Sequence, residues 1–113
     1  MKYKIQLSAS FKKEAKWFKK HYTSFTDDFE ELINKLEVTP NLGTDLGGGL
    51  RKIRMRITSK GKGKSGGARV ITFTVVAAID ETEINLLYIY DKAERSTIKQ
   101  SELEELLRKN GLL

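Results

Sequence analysis

The chain has 113 residues, no cysteine, one histidine and one proline, and its 21 lysines and arginines against 15 carboxylates leave a formal charge of +6. Without cysteine, disulfides and thiolate metal sites are excluded, and His21 alone cannot build a zinc site. The length suits one domain over 1–113, the N-terminal MKYKIQLSASFKKEAK lacks the apolar core of a signal peptide, and no apolar run approaches the roughly 18 residues of a membrane span. A cytoplasmic protein is expected.

Tyr3, Ile5 and Leu7 alternate with Lys2, Lys4 and Gln6, the period of a half-buried strand. Ser8 or Ser10 offers an N-cap oxygen to the next segment. There Phe11, Ala15, Phe18 and Tyr22 recur at helical spacing with Lys12, Lys13, Lys16 and Lys19 between them, which predicts an amphipathic helix with a basic outer face. Thr23 to Thr26 breaks that helix and caps a second one. Its stripe is Phe25, Phe29, Leu32, Ile33 and Leu36, and Asp27, Asp28, Glu30 and Glu31 in its first turns complement the helix dipole. The short connection predicts an antiparallel helical pair. Pro40 ends the second helix, and the Gly-rich Asn41 to Gly49 reads as a loop.

Arg51 to Ile57 alternates Ile53, Met55 and Ile57 with Lys52, Arg54 and Arg56, a strand with one core face and one cationic face. A tip of Ser, Lys and Gly follows from Ser59 to Gly67, and Arg69 opens the return strand. Val70 to Ala78 and Ile84 to Tyr90 are apolar on both faces, as central strands are, with the polar turn Asp80 to Glu83 between them. Ala93 to Ile98 is irregular. Leu103, Leu106 and Leu107 mark a last helix from about Lys99 to Asn110, which Gly111 stops. The expected order is β-α-α-β-β-β-α, an α+β fold with a small antiparallel sheet whose one face the helices cover.

The stretch Leu50 to Val70 holds eight cations (Arg51, Lys52, Arg54, Arg56, Lys60, Lys62, Lys64 and Arg69) and no carboxylate, so the rest of the chain sums to −2. Basicity concentrated in this way suggests a polyanionic partner, with nucleic acid ahead of membrane. A cationic strand face is more often solvated surface. Its single sign, and the closeness of Arg69 to Lys52 or Arg54 across the hairpin, favour a phosphate site. Gly61-Lys62-Gly63-Lys64-Ser65 ends like a Walker A loop, but it lacks the upstream glycine and precedes a strand, so nucleotide binding is rejected. A lysine tip gripping a nucleic-acid backbone fits better. Tyr88 and Tyr90 share a face by parity and read as core, although one of them could stack on a base.

The succession Gly49-Leu50-Arg51-Lys52-Ile53-Arg54, a Gly/Lys tip and Gly67-Ala68-Arg69-Val70-Ile71 resembles the RelE/ParE toxin superfamily. The long tip and Tyr90-Asp91-Lys92-Ala93-Glu94 are most similar to its HigB-like branch, and the resemblance spans essentially the whole chain. It implies the toxin of a type II toxin–antitoxin system, held inactive by a cognate antitoxin. It also implies an endoribonuclease that cleaves mRNA in the ribosomal A site without metal or other cofactor, by 2′-hydroxyl attack on the adjacent phosphate. On the matching positions, Lys52 stands for the general-base lysine, Arg54 for a second basic residue and Arg69 for the arginine that stabilises the pentavalent phosphorane. Lys92 lies near a basic residue that assists the leaving group, and Tyr90 is the candidate tyrosine. Arg51, Arg56, Lys60, Lys62 and Lys64 are the expected RNA-binding cations. Two other readings stay open, a ParE-like inhibitor of DNA gyrase and a non-catalytic RNA- or ribosome-binding module. An acidic antitoxin segment on Lys52, Arg54 and Arg69 would block the phosphate site.

Overall fold

The computed structural model describes residues 2–60 and 66–113. The expected Lys62 and Lys64 contacts lie outside the described residues. Strand β1 (Lys2–Leu7) leads into helices α1 (Ala9–His21) and α2 (Phe25–Val38), and then strands β2 (Thr44–Gly47) and β3 (Leu50–Met55). A short 3-10 turn (Thr58–Lys60) precedes strands β4 (Ala68–Ala78) and β5 (Glu81–Asp91), and helix α3 (Gln100–Lys109) ends the fold. The class is α+β, as the periodicities imply. The sheet order is β1-β5-β4-β3-β2.

The structure departs from the expectation in three ways. The Gly-rich segment after Pro40 is not all loop, because Thr44–Gly47 pairs antiparallel with Leu50–Lys52. The sheet is mixed rather than antiparallel, since β1 runs parallel to β5 with Ile5 beside Ile84. The chain between them, two helices followed by β2, β3 and β4, gives the long connection that parallel neighbours require. The helices also cover both faces, where one was expected. Phe11, Phe18, Phe25, Leu32 and Leu36 from α1 and α2 pack with Ile53, Met55, Val70, Leu86 and Ile89. Leu103 and Leu107 of α3 close a second core with Leu50, Ile71, Leu87 and Tyr90. That arrangement explains why β4 and β5 are apolar on both sides.

Local chemistry sets the elements. Ser8 caps α1, its hydroxyl oxygen accepting from the Phe11 N–H at 3.0 Å while its O–H donates to the Leu87 carbonyl at 2.8 Å. The rings of Phe11 and Phe29, and of Phe18 and Phe25, meet at 5.6 Å, a pairing that makes α1 and α2 antiparallel. Ser24 precedes α2 but gives no side-chain cap; its hydroxyl donates to Asp28 and accepts from the Ser59 N–H. Asp28 in turn accepts from the Thr58 N–H and hydroxyl at 2.9 and 2.6 Å, which holds the end of the cationic strand against α2. Gly67 passes so close to β3 that an added Cβ would strike the Met55 carbonyl oxygen.

Candidate active site on the cationic hairpin

Strand register assembles the site. Arg54 of β3 stands directly opposite Arg69 of β4, and Arg69 stands opposite Tyr90 of β5. The three lie in one line across the sheet, on the face that carries α3. Lys52 is two residues along β3 from Arg54, opposite Ile71 and on the same face. Of the two neighbours left open by sequence, Arg54 is therefore the direct partner of Arg69 and Lys52 the diagonal one.

A bulge makes the line possible. The β4–β5 register slips between Ile71 and Thr72, which face Tyr88 and Leu86, so Leu87 has no residue opposite. The extra residue shifts the alternation of β5, leaving Leu86 and Ile89 in one core while Leu87 and Tyr90 enter the other. Tyr88 packs on that second core, its ring 6.4 Å from that of Tyr90, so the expected shared face holds.

The cations differ in exposure. Arg54 and Arg56 are exposed and Lys52 is half-buried, whereas Arg69 is only 5% exposed and donates to the Ala68 carbonyl at 3.1 Å. Burial first, and then the neighbouring Arg54, hold the Arg69 guanidinium below its usual pKa, with Tyr90 opposing them. Two like charges held this close favour an anion between them. Burial raises the pKa of the Tyr90 phenol against the pull of Arg69 and Arg95. Its hydroxyl is buried with no hydrogen-bond partner among the described residues.

Other expected residues are engaged elsewhere. Arg51 donates to the Gly43 carbonyl at 3.1 Å and lies 3.9 Å from Asp45, on the side of β3 away from the row. Lys60 forms an ion pair with Asp91 at 2.7 Å with both side chains nearly buried, and its ammonium lies 5.4 Å from the Tyr22 ring centre. Lys92 donates to the Ser96 carbonyl at 3.1 Å rather than reaching toward the row. Arg56 lines a groove of about 400 Å³ between α2 and the outer edge of β3, together with Lys52, Arg54, Glu31 and Lys35. Beyond Lys52 that edge has no strand beside it among the described residues.

Sequence reasoning missed Arg95. Its guanidinium lies 5.5 Å from the Tyr90 ring centre and is held by both oxygens of Glu102 at 2.8 and 2.7 Å, which ties the irregular segment to α3. The Arg95–Glu102 spacing crosses a helix start, so no helical or strand period marks it. Among the described residues no group of three His, Asp or Glu side chains is placed to hold a metal ion, and no helix is long and apolar enough to cross a membrane.

A family model described as "RelE toxin of RelE / RelB toxin-antitoxin system" matches residues 6–111. The chain belongs to the RelE toxin family. The match takes in every element from the end of β1 to α3, including all the residues of the cross-sheet line. In this RelE-family toxin, Lys52, Arg54 and Arg69 are held on two paired strands rather than on a loop.

Proposed function

We propose that this RelE-family toxin is a metal-independent endoribonuclease that cuts mRNA in the ribosomal A site, in the cytoplasm, and that a RelB-type antitoxin restrains it. The observation that carries the reading is the alignment of Arg54, Arg69 and Tyr90 across three paired strands with Lys52 beside them. Strand-borne cations lose little order when a phosphate arrives, which is what electrostatic catalysis of phosphoryl transfer needs.

In this mechanism Lys52 accepts the proton of the 2′-hydroxyl as its oxygen attacks the adjacent phosphorus. Arg69, with Arg54 opposite, offsets the charge that builds on the pentavalent phosphorane. The P–O5′ bond breaks and the departing 5′ oxygen takes a proton, leaving a 2′,3′-cyclic phosphate and a 5′-hydroxyl. Tyr90, opposite Arg69, is the candidate for that protonation, since burial favours its neutral phenol. Lys92, turned toward Ser96, plays a lesser part. Arg56 and the tip lysines, including Lys62 and Lys64, hold the flanking backbone. Arg51 and Lys60 contribute less to RNA than their charge implies, because Asp45 and Asp91 occupy them.

The test is induced expression in bacteria of wild type, Arg54→Ala and Arg69→Ala, with primer extension on a translated reporter mRNA. Growth arrest with in-frame cleavage is expected for wild type, with cleavage reduced by a factor of roughly 100 or more in each variant. Arg54 is exposed, so its loss of activity is free of the folding penalty that the buried Arg69→Ala carries. Arrest with intact mRNA and accumulating DNA breaks would overturn the reading in favour of gyrase inhibition. Unchanged cleavage in Arg54→Ala would remove the cross-sheet pair from the site.

A further inference from the structure

The line Arg54–Arg69–Tyr90 ends at a pocket. β1 accompanies β5 only as far as Leu86. From there α1 runs beside the edge of β5, bonded to it from Ser8 to Leu87 and from Tyr22 to Asp91. Between α1, the end of β5 and the irregular segment after it lies a pocket of about 140 Å³, lined by Glu14, Trp17, Tyr88, Tyr90, Glu94 and Arg95. Glu94 is exposed, and Glu14, Trp17, Tyr88 and Arg95 are half-buried, so solvent reaches it. A cavity of roughly 150 Å³ accepts one benzene-sized ring, so this one suits a single planar ring system.

Its walls are aromatic and its open polar groups are acceptors. His21 stacks on Trp17 with ring centroids 4.0 Å apart, and the Tyr88 and Tyr90 rings are 6.4 Å apart. Of the charges around the pocket, Asp91 is taken by Lys60 and Tyr22, and Arg95 by both oxygens of Glu102 and by the Thr97 carbonyl. Glu14 and Glu94 are in none of the ion pairs among the described residues. Two such carboxylates repel a phosphate but accept from the amino and imino groups of a base, whose ring stacks on aromatic side chains. A cationic side chain suits the pocket less well. Arg95 already sets a guanidinium 5.5 Å from the Tyr90 ring centre, and a second cation beside it is repelled.

We propose that this pocket is a nucleobase subsite beside the cationic row, and that Glu14 and Glu94 select there a base with an amino group over uracil. The inference rests on the ribonuclease reading and deepens it. Paired strands are about 4.8 Å apart, so a phosphate between Arg54 and Arg69 lies roughly one ribose from Tyr90. A nucleotide laid along the line sets its negative end on the cations and its base against the rings. Tyr90 gives its proton to the departing 5′ oxygen in the proposed mechanism, so that base belongs to the nucleotide 3′ of the cut. Guanine offers a carboxylate adjacent N1–H and N2 amino donors, and adenine and cytosine each offer one amino group. Uracil offers a single N3–H between two carbonyls, which a carboxylate repels.

Trp17 is the sole tryptophan of the chain, so its fluorescence reports on the pocket directly. The experiment titrates the 2′-O-methyl dinucleotides ApG, ApA, ApC and ApU, whose blocked 2′ oxygen prevents cleavage. The proteins are wild type, Glu14→Gln/Glu94→Gln and Arg54→Ala. Wild type should bind the three probes with an amino-bearing 3′ base at least about fivefold more tightly than ApU. The glutamine variant, whose amides donate as well as accept, should lose that preference, and Arg54→Ala should weaken all four probes alike. Equal affinity of wild type for the four probes overturns the proposal. So does a preference unchanged in the glutamine variant, or a Trp17 signal that responds to none of the probes. Tighter binding of arginine amide than of ApG, lost in the glutamine variant, also overturns it and makes the pocket a seat for a basic side chain of a protein partner. Because no probe is cut, failure of the nuclease reading shows in the growth and primer-extension assay and leaves these outcomes separable.

Discussion

Asp91 shows what a single side chain does here. Its carboxylate, 3% exposed, accepts from Lys60 Nζ at 2.7 Å, from the Ala93 N–H at 2.9 Å and from the Tyr22 phenol. Burial alone would raise its pKa; the hydrogen bonds from Lys60, Tyr22 and Ala93 outweigh it and hold it below the ordinary aspartate value. On the other side of the contact, burial and then the bond to Asp91 push Tyr22 up to about 12, so the phenol remains a donor through neutral pH. A depressed carboxylate pKa favours the folded state only while the group is ionised. Its stabilisation is present above the unfolded value of about 3.9 and is lost as pH falls through the folded value. Asp91→Asn should therefore unfold more easily at pH 7 by about 3 kcal/mol, because Lys60 is left without its anion. In thermal melts from pH 7 downward the gap to wild type should close below pH 4; a gap that stayed constant would show that the ion pair is not its source. Sequence alone placed Lys60 with the RNA-binding tip, since nothing local reveals a carboxylate 31 residues away.

At the scale of elements, periodicity was a sound guide wherever an element has one wet and one dry side. β1, β3, α1, α2 and α3 each fall within a few residues of their expected positions. β2 escaped because four residues of Thr-Asp-Leu-Gly carry no alternation long enough to read and are half-committed to a turn. The Ser8 cap is the most local of these devices, and the ambiguity between Ser8 and Ser10 is resolved by the bond to Phe11. Ser8→Ala removes both that cap and the donation to Leu87. It should cost about 1 to 2 kcal/mol in urea unfolding, against a few tenths for an ordinary surface change. An unchanged midpoint would mean that water replaces the hydroxyl at no cost.

The molecule is a sheet with a core on each side, and among the described residues α3 alone supplies the helical cover of the second. Leu103 is 2% exposed within it. Leu103→Ala should destabilise by about 2 to 4 kcal/mol in equilibrium denaturation, through lost burial and the cavity left behind. A change below about 1 kcal/mol would show α3 to be loosely docked, in spite of the Arg95–Glu102 tie and the bonds between Asn110 and Ser10 at its far end. Charge is also organised at this scale. The α1 lysines form a second positive surface, at whose edge Lys13 lines a groove with Glu102 and Glu105 of α3.

The sequence by itself determined the α+β class, the order of the long elements, the cationic face of β3 and Arg69 at the head of β4. These follow from side-chain period and from charge along a short span, properties that need no distant neighbour. Only the tertiary structure decided the parallel seat of β1, the second core beneath α3 and the engagement of Lys60 by Asp91 and of Arg51 by Asp45. It also decided the line Arg54–Arg69–Tyr90. That line depends on which residues stand opposite one another, and on a single extra residue, Leu87, that turns Tyr90 onto the face of Arg69. Register is a relation between strands set by their joint packing, so no one strand carries it in its own pattern.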